Sequence, residues 1–221
     1  LTYRKIALVG ALSVGLLSGC FGEKPEENIY AAFENAAKQE KALFDDAKKL
    51  EKLETQGQEL YTQIIQEGKE HNEAVAQKID QAVANVDERE KILKTEKEML
   101  DKAQKETKSV QSYTEKIEDK KLQKQAKKVE EAYKNRYAAF QKMNENYTKS
   151  LAIEKELYGK LKVKETKLKE IDEKVKAVNT LNEETQKEKE KFNQYTKEYN
   201  EGKLAFYKDA KIKVKEEKQE K

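Results

Sequence analysis

From Ile29 onward the apolar residues return at steps of three and four. Ile29, Phe33, Ala36, Leu43, Ala47, Leu50, Leu53, Leu60 and Ile64 fall on one face of a 3.6-residue helix. Glu40 and Gly57 interrupt this stripe. Glycine costs a helix interior about 1 kcal/mol against Ala, so a kink or loosened turn is expected at Gly57. The stretch Gly68-Lys69-Glu70-His71-Asn72 reads as the first turn, with Gly68 as a C-cap and Asn72 as the next N-cap. A second helix carries Val75, Ile79, Val83, Val86, Ile92, Leu93, Met99, Leu100 and Ala103, fading between Thr107 and Ser112. A third carries Ile117, Val129, Tyr133, Tyr137, Phe140, Tyr147, Leu151 and Leu157, with Gly159 marking its end. The fourth carries Leu161, Leu168, Ile171, Val175, Val178, Leu181, Phe192, Tyr195, Tyr199 and Phe206, with a bend expected at 179–182 and an end at Gly202.

Short connections between long helices place neighbours antiparallel. The fold class is therefore all-α, an elongated up-and-down antiparallel bundle of about four long helices over residues 29–207. A helix near 40 residues rises about 60 Å. Alternating β-branched runs and Asn-Gly or Asp-Gly hairpin signals are absent from the sequence. Residues 208–221 form a Lys/Glu tail with isolated Ile212 and Val214, expected as a frayed helix end or a disordered segment.

The first 28 residues follow a different pattern. Arg4 and Lys5 precede an 11-residue apolar run, Ile6 to Leu16, which is shorter than the roughly 20 residues of a membrane span. It fits a secretory signal. The run ends in Leu17-Ser18-Gly19-Cys20, which resembles a bacterial lipobox: an apolar residue, two small residues that let the chain enter a protease, and a cysteine whose thiol can take a lipid. The resemblance implies diacylglyceryl transfer to Cys20 and cleavage before it, so that residues 1–19 are a lipoprotein signal peptide and 20–28 a lipidated tether. The alternative is a plain secreted protein with a free Cys20. One acyl chain anchors only marginally, and two or three on one cysteine hold firmly.

Charged residues make up 40% of the chain and Pro25 is its single proline, a composition that leaves long helices or disorder; the periodic stripes select helices. A lone cysteine excludes an intramolecular disulfide. Residues 20–110 hold 15 basic and 21 acidic side chains, and residues 111–221 hold 29 and 22. Two readings of this asymmetry stand: attraction between antiparallel helices, or a C-terminal half that meets anionic polymers or lipid headgroups. Nucleic acid is not a partner expected of an exported chain.

No catalytic residue is assigned. His71 is the only histidine and sits in a turn, without an orienting partner or pocket. With one His and a lipidated Cys20 there is no soft-metal ligand set, no phosphate loop stands out, and no cofactor is expected. The unusual group is aromatic: Tyr133, Tyr137 and Phe140, then Phe192, Tyr195 and Tyr199, then Phe206 and Tyr207. A Tyr ring can pack a thin core or stack on a sugar. With Lys134, Lys197, Lys203 and Lys208 interleaved, the second reading makes Tyr195, Tyr199 and Tyr207 a glycan or anionic-polymer surface.

The lipobox Leu17-Ser18-Gly19-Cys20, the following Phe21-Gly22 and the Lys/Glu-rich helical body of about 200 residues together resemble the YkyA-type cell-wall-binding lipoproteins of Gram-positive bacteria. The resemblance implies a four-helix up-and-down-like bundle, tethered by lipid on Cys20 to the extracytoplasmic face of the cell membrane, and carries over no catalytic residue. The first reading is a non-enzymatic surface lipoprotein whose charged faces or Tyr-rich segment contact peptidoglycan, an anionic wall polymer or a protein partner. The rival reading is an extracytoplasmic chaperone-like bundle, a helper for membrane complexes, which requires an exposed apolar groove along the helices.

Overall fold

The computed structural model describes residues 14–16, 24–67, 73–212 and 214–216, the first and last of these by backbone alone. The lipobox residues and the expected turn at Gly68, His71 and Asn72 lie outside them. The helices are α1 (Pro25–Gln39), α2 (Leu43–Glu67), α3 (Glu73–Glu106), the short α4 (Val110–Thr114), α5 (Lys120–Leu161) and α6 (Leu168–Asp209). The fold is an all-α bundle. Its sole sheet among the described residues is an antiparallel pairing of β1 (Val14–Leu16) with β2 (Val214–Glu216), Val14 opposite Glu216.

The chain divides into two compact units. One comprises Asp45–Lys97 and Phe140–Glu190. Here α2 and α3 run antiparallel, since Asn85 Nδ2 donates to the Leu53 carbonyl at 2.9 Å and Lys78 bonds Glu67. Helix α3 is antiparallel to α5, with Asn144 bonded to the Leu93 carbonyl at 3.1 Å and Lys162 to Asp80. Helix α5 is antiparallel to α6 through Ser150–Asn182, Glu156–Lys174 and Lys160–Glu170. Its core joins Leu50, Ile64, Val75, Ile79, Val86, Leu93, Tyr147, Leu151 and Tyr158.

The described part of the other unit takes in 24–44, 98–139 and 191–212. Its core joins Ile29, Phe33 and Ala36 of α1 to Ala103, Val110, Ile117, Val129, Tyr133, Tyr199, Phe206 and Tyr207. The rings interlock: Tyr199 lies edge-on to Phe33 at 5.4 Å and to Tyr133 at 5.1 Å, and Tyr30 tilts on Tyr207 at 4.7 Å. Every buried side chain among the described residues lies between Ile29 and Tyr207, so a body starting at Lys24 holds the whole described core.

The helix limits depart from the periodic reading at several places. Helix α1 starts at Pro25, with Glu26 and Glu27 in its first turn, a position where a proline loses no helical hydrogen bond. The break in the first stripe falls at Glu40 rather than Gly57. There Glu40 and Leu43 N–H donate three residues back, to Ala37 and Glu40 carbonyls at 3.2 and 3.0 Å. Helix α2 passes through Gly57 because the missing side chain makes room for Asn85. A Cβ at position 57 would stand 3.0 Å from Asn85 Oδ1 and 3.5 Å from Arg89 Nη2. Helix α5 runs on past Gly159 to Leu161, and α6 continues through 179–182 and past Gly202. The start of α5 is capped by Asp119, whose Oδ1 accepts Lys121 and Leu122 N–H at 2.8 and 3.1 Å.

The C-terminus of α6 is not frayed. Ile212 N–H reaches the Tyr207 carbonyl at 3.0 Å and Lys211 N–H the Lys208 carbonyl at 3.1 Å, with Lys211 at φ 57°. These are the bonds of a Schellman cap, and Ile212 completes it by packing on the core.

Two glycines separate propensity from space. Nothing lies within 4 Å of a Cβ added at Gly159, so Gly159→Ala should raise stability by about 1 kcal/mol. Gly57→Ala brings the same propensity gain, but its Cβ meets an Asn85 side chain held by Leu53 and Arg89, so it should lower the urea midpoint. Equilibrium unfolding of the two variants beside the parent tests both signs.

Candidate functional site

Among the described residues, a set of charged side chains points inward. In the unit containing α1, Glu40 projects from the α1–α2 break into the core and meets Arg136 of α5. Arg136 Nη1 and Nη2 donate to the two Glu40 oxygens at 2.8 and 2.5 Å, and its Nε donates to Thr196 Oγ1 at 2.8 Å. Thr196 O–H donates to the Phe192 carbonyl at 2.7 Å, and Tyr133 O–H donates to Glu40 at 3.3 Å. The guanidinium lies 4.4 Å from the Phe192 ring centre. Burial works against the Arg136 charge, and the Glu40 carboxylate more than offsets it, so the guanidinium pKa stays above its ordinary value.

A second buried pair sits further along α1. Lys203 Nζ and Tyr207 O–H each donate to Glu34 Oε1 at 2.9 Å. The ammonium stands 5.3 Å from the Tyr199 ring centre and 5.9 Å from that of Tyr207, a cation–π box. Burial lowers the Lys203 pKa, and Glu34 opposes that shift. Burial also lifts the Tyr199 and Tyr207 hydroxyls well above the ordinary tyrosine range, so both stay neutral.

The other unit repeats the device. Arg89 of α3 pairs with Glu154 of α5, Nη1 to Oε1 at 3.3 Å and Nη2 to Oε2, while its Nε donates to Asn85 Oδ1 at 3.0 Å. Both side chains are fully buried. Tyr147 O–H donates to Glu54 at 2.5 Å, and burial raises the Glu54 pKa against that bond. Glu96 is the exception. It is fully buried, neither carboxylate oxygen has a hydrogen-bond partner, and burial pushes its pKa from 4.5 to about 8. Asp46 and Glu54 push the same way and Lys189 opposes them.

These pairs occupy their own donors and acceptors, so they fix helix register and present no acid/base couple to a substrate. Among the described residues no group of three or more His, Cys, Asp or Glu could hold a metal ion, and no helix is long and apolar enough to cross a membrane. Among the described residues the outer surface carries open grooves in which apolar floor and polar rim alternate. One, about 420 Å³, runs between α2 and α3, with Leu53, Leu60 and Ala84 on its floor and Gln56, Gln63 and Gln81 at its rim. Another, about 470 Å³, runs between α5 and α6 and is lined by Gln125, Lys128, Asn135, Glu198 and Glu201 over Gly202.

The expected aromatic surface dissolves. Tyr199 and Tyr207 are 0% and 1% exposed and Lys203 is fully buried, because their rings and amine close around Glu34. Tyr195 alone of the three tyrosines is half-exposed. Arg89 and Arg136 were not singled out by periodicity, although composition marks them: of 46 basic residues only Arg4, Arg89 and Arg136 are arginine. A planar fork that binds carboxylate bidentately suits a buried pair better than a strongly hydrated ammonium.

The model of a family described as "Putative cell-wall binding lipoprotein", YkyA, matches residues 24–209. The curated "Uncharacterized lipoprotein YkyA" of Bacillus subtilis (strain 168) is 28% identical over 200 residues, covering 90% of each chain. No solved structure matches.

Removing Arg136 alone strands a buried carboxylate, so Arg136→Met should cost about 3–5 kcal/mol, and Arg136→Met with Glu40→Leu should recover most of it. Thermal and urea unfolding of the two variants measure this. Glu96 gives a pH signature. The folded carboxyl keeps its proton up to about pH 8, whereas 4.5 is the ordinary value. The native state therefore binds more protons across that window. The stability it confers is complete below pH 4.5 and is lost as pH rises through 8. Glu96→Gln should flatten this slope in urea unfolding curves taken across the same range.

Proposed function

Because the chain belongs to the YkyA lipoprotein family, we propose that it is a non-enzymatic surface lipoprotein, held by lipid on Cys20 at the extracytoplasmic face of the cell membrane, whose helical body binds the cell wall. The observation that carries this reading is the extent of the family match. Residues 24–209 run from α1 through α6, so the family description spans the helical body, which supports a wall contact made by that body. The interior is spent on register-fixing pairs, which leaves the polar helix faces and grooves as recognition surface. Amides such as Gln56, Gln63 and Gln81 on the α2–α3 groove suit hydroxyl- and amide-bearing polymers, which offer both donors and acceptors. Leu17, Ser18 and Gly19 would be read by the signal peptidase.

The helper reading needs a continuous apolar groove. The exposed large hydrophobics are Ile65, Val163 and Leu168 in one unit and Phe44 and Leu204 in the other. Both described grooves mix apolar with polar lining, Leu53, Leu60 and Ala84 in the first and Val129, Ala132 and Ala205 in the second, and the exposed large hydrophobics are scattered singly rather than joined along either groove.

The body from Lys24 onward should sediment with purified cell wall, tested with and without the wall's anionic polymers and across salt. Binding that falls with ionic strength and vanishes with the polymers identifies an electrostatic wall contact. Salt-insensitive binding that survives their removal identifies peptidoglycan itself. No sedimentation above a mixed-charge helical control sinks the proposal.

A further inference from the structure

Leu168 belongs by spacing to the apolar stripe of the fourth helix, yet its side chain is 86% exposed, and Val163, five residues earlier, is 51% exposed. Both sit on the turn that joins α5 to α6. The turn is held closed without them. Val163 N–H donates to the Lys160 carbonyl at 3.1 Å, and Thr166 N–H donates to the Val163 carbonyl at 3.1 Å. Thr166 Oγ1 returns to the Lys160 carbonyl at 2.8 Å, and Glu170 N–H meets the Lys167 carbonyl at 2.9 Å. Leu161 packs against the core, so the two exposed residues are not replacements for a missing core contact. Ile65, also 45% exposed, stands at the same end of the unit, beside Ile64, which shares its core cluster with Tyr158 and Leu161.

The charge on this turn is one-sided. Residues 160–169 contain Lys160, Lys162, Lys164, Lys167 and Lys169 against Glu165 alone. Lys160 and Lys162 are bonded to Glu170 and Asp80, Lys169 stands 3.9 Å from Glu173, and Lys167 acts on Glu170 through space. Lys164 and Lys167 are exposed, and neither is in a salt bridge among the described residues.

We propose that the α5–α6 turn is a peripheral docking element for an anionic lipid surface, with Val163 and Leu168 entering the headgroup boundary and Lys164 and Lys167 meeting the phosphates. An apolar tip flanked by long basic side chains suits an interface that is oily inside and negative outside. An anionic wall polymer would satisfy the lysines but offers no apolar phase to the two hydrophobic side chains. A second copy would bring the same positive turn against this one, like charge against like charge. The inference is independent of wall binding and gives the protein a second contact with the membrane besides its lipid.

The test is vesicle sedimentation of the body from Lys24 onward, with helix content checked by circular dichroism for each variant. The parent should pellet with phosphatidylglycerol-containing vesicles and not with pure phosphatidylcholine. Val163→Ser with Leu168→Ser should lower partition about tenfold, and Lys164→Ala with Lys167→Ala about thirtyfold. High salt should release the parent. Absence of pelleting, pelleting that ignores lipid charge, or pelleting unchanged by either double variant overturns the proposal. Loss with the lysine pair alone overturns it in favour of a polyanion surface.

Discussion

Each compact unit closes around a buried cation–carboxylate pair, and that constraint governs the rest. Arg136–Glu40 and Lys203–Glu34 lie in one unit and Arg89–Glu154 in the other, every member at most 5% exposed. Taking such charges out of water costs several kcal/mol each, and their attraction returns little beyond that, so the pairs are weak sources of stability. Their effect is on uniqueness. A chain built of Lys, Glu, Gln and Ala with apolar residues every three or four positions has many helix alignments of similar apolar burial. A one-turn slip keeps most of that burial but leaves an uncompensated charge inside, and this penalty separates the native alignment from its neighbours.

The aromatic residues follow from the same constraint. A buried ammonium needs more than one carboxylate, and Lys203 obtains the faces of Tyr199 and Tyr207 as well as Glu34. Arg136 is likewise flanked by Phe192 and Tyr133. Rings that looked available for sugar stacking are therefore the walls of charge boxes. The Tyr207 hydroxyl is also committed, since it donates to Glu34. Recognition falls to what remains outside: long polar faces, two shallow grooves and the turns.

Helix existence, the antiparallel order and most core positions were legible in the stripes, since 3.6-residue periodicity is the direct trace of a buried face. What periodicity missed has a common cause: it treats charge as exterior. Glu40 registered only as an interruption, when it marks the place where α1 ends so that a carboxylate can turn inward. Gly57 and Gly202 read as breakers, yet each makes room for a neighbour, Asn85 in one case and in the other Val129, whose methyl would stand 3.1 Å from an added Cβ. Asp119 and Lys211 act through local backbone bonds, which leave no periodic trace. Leu168 kept the spacing of the stripe but stands at the first residue of its helix, where the chain has not yet turned its face to the core. The scarcity of arginine was the available signal for the buried pairs, and it lies in composition rather than in pattern.

The partition of charge also bears on how such a body can recognise anything. The buried pairs remove Arg89, Arg136 and Lys203 from the surface together with their carboxylates, so the net charge seen by a partner is set by lysines and glutamates at the helix exteriors. Several of these are matched within a single turn, as in Lys91–Glu88, Lys149–Glu145 and Lys176–Asp172. Such exposed pairs add little stability; they flatten the local field along the helix faces. A partner approaching those faces meets alternating signs and hydrogen-bonding amides, whereas one approaching the α5–α6 turn meets Lys164 and Lys167, exposed and in no salt bridge among the described residues, beside two apolar side chains. The chain thus carries two surfaces of different chemistry. The faces suit polar polymers through many weak contacts, and the turn suits an interface where negative charge and apolar matter lie side by side.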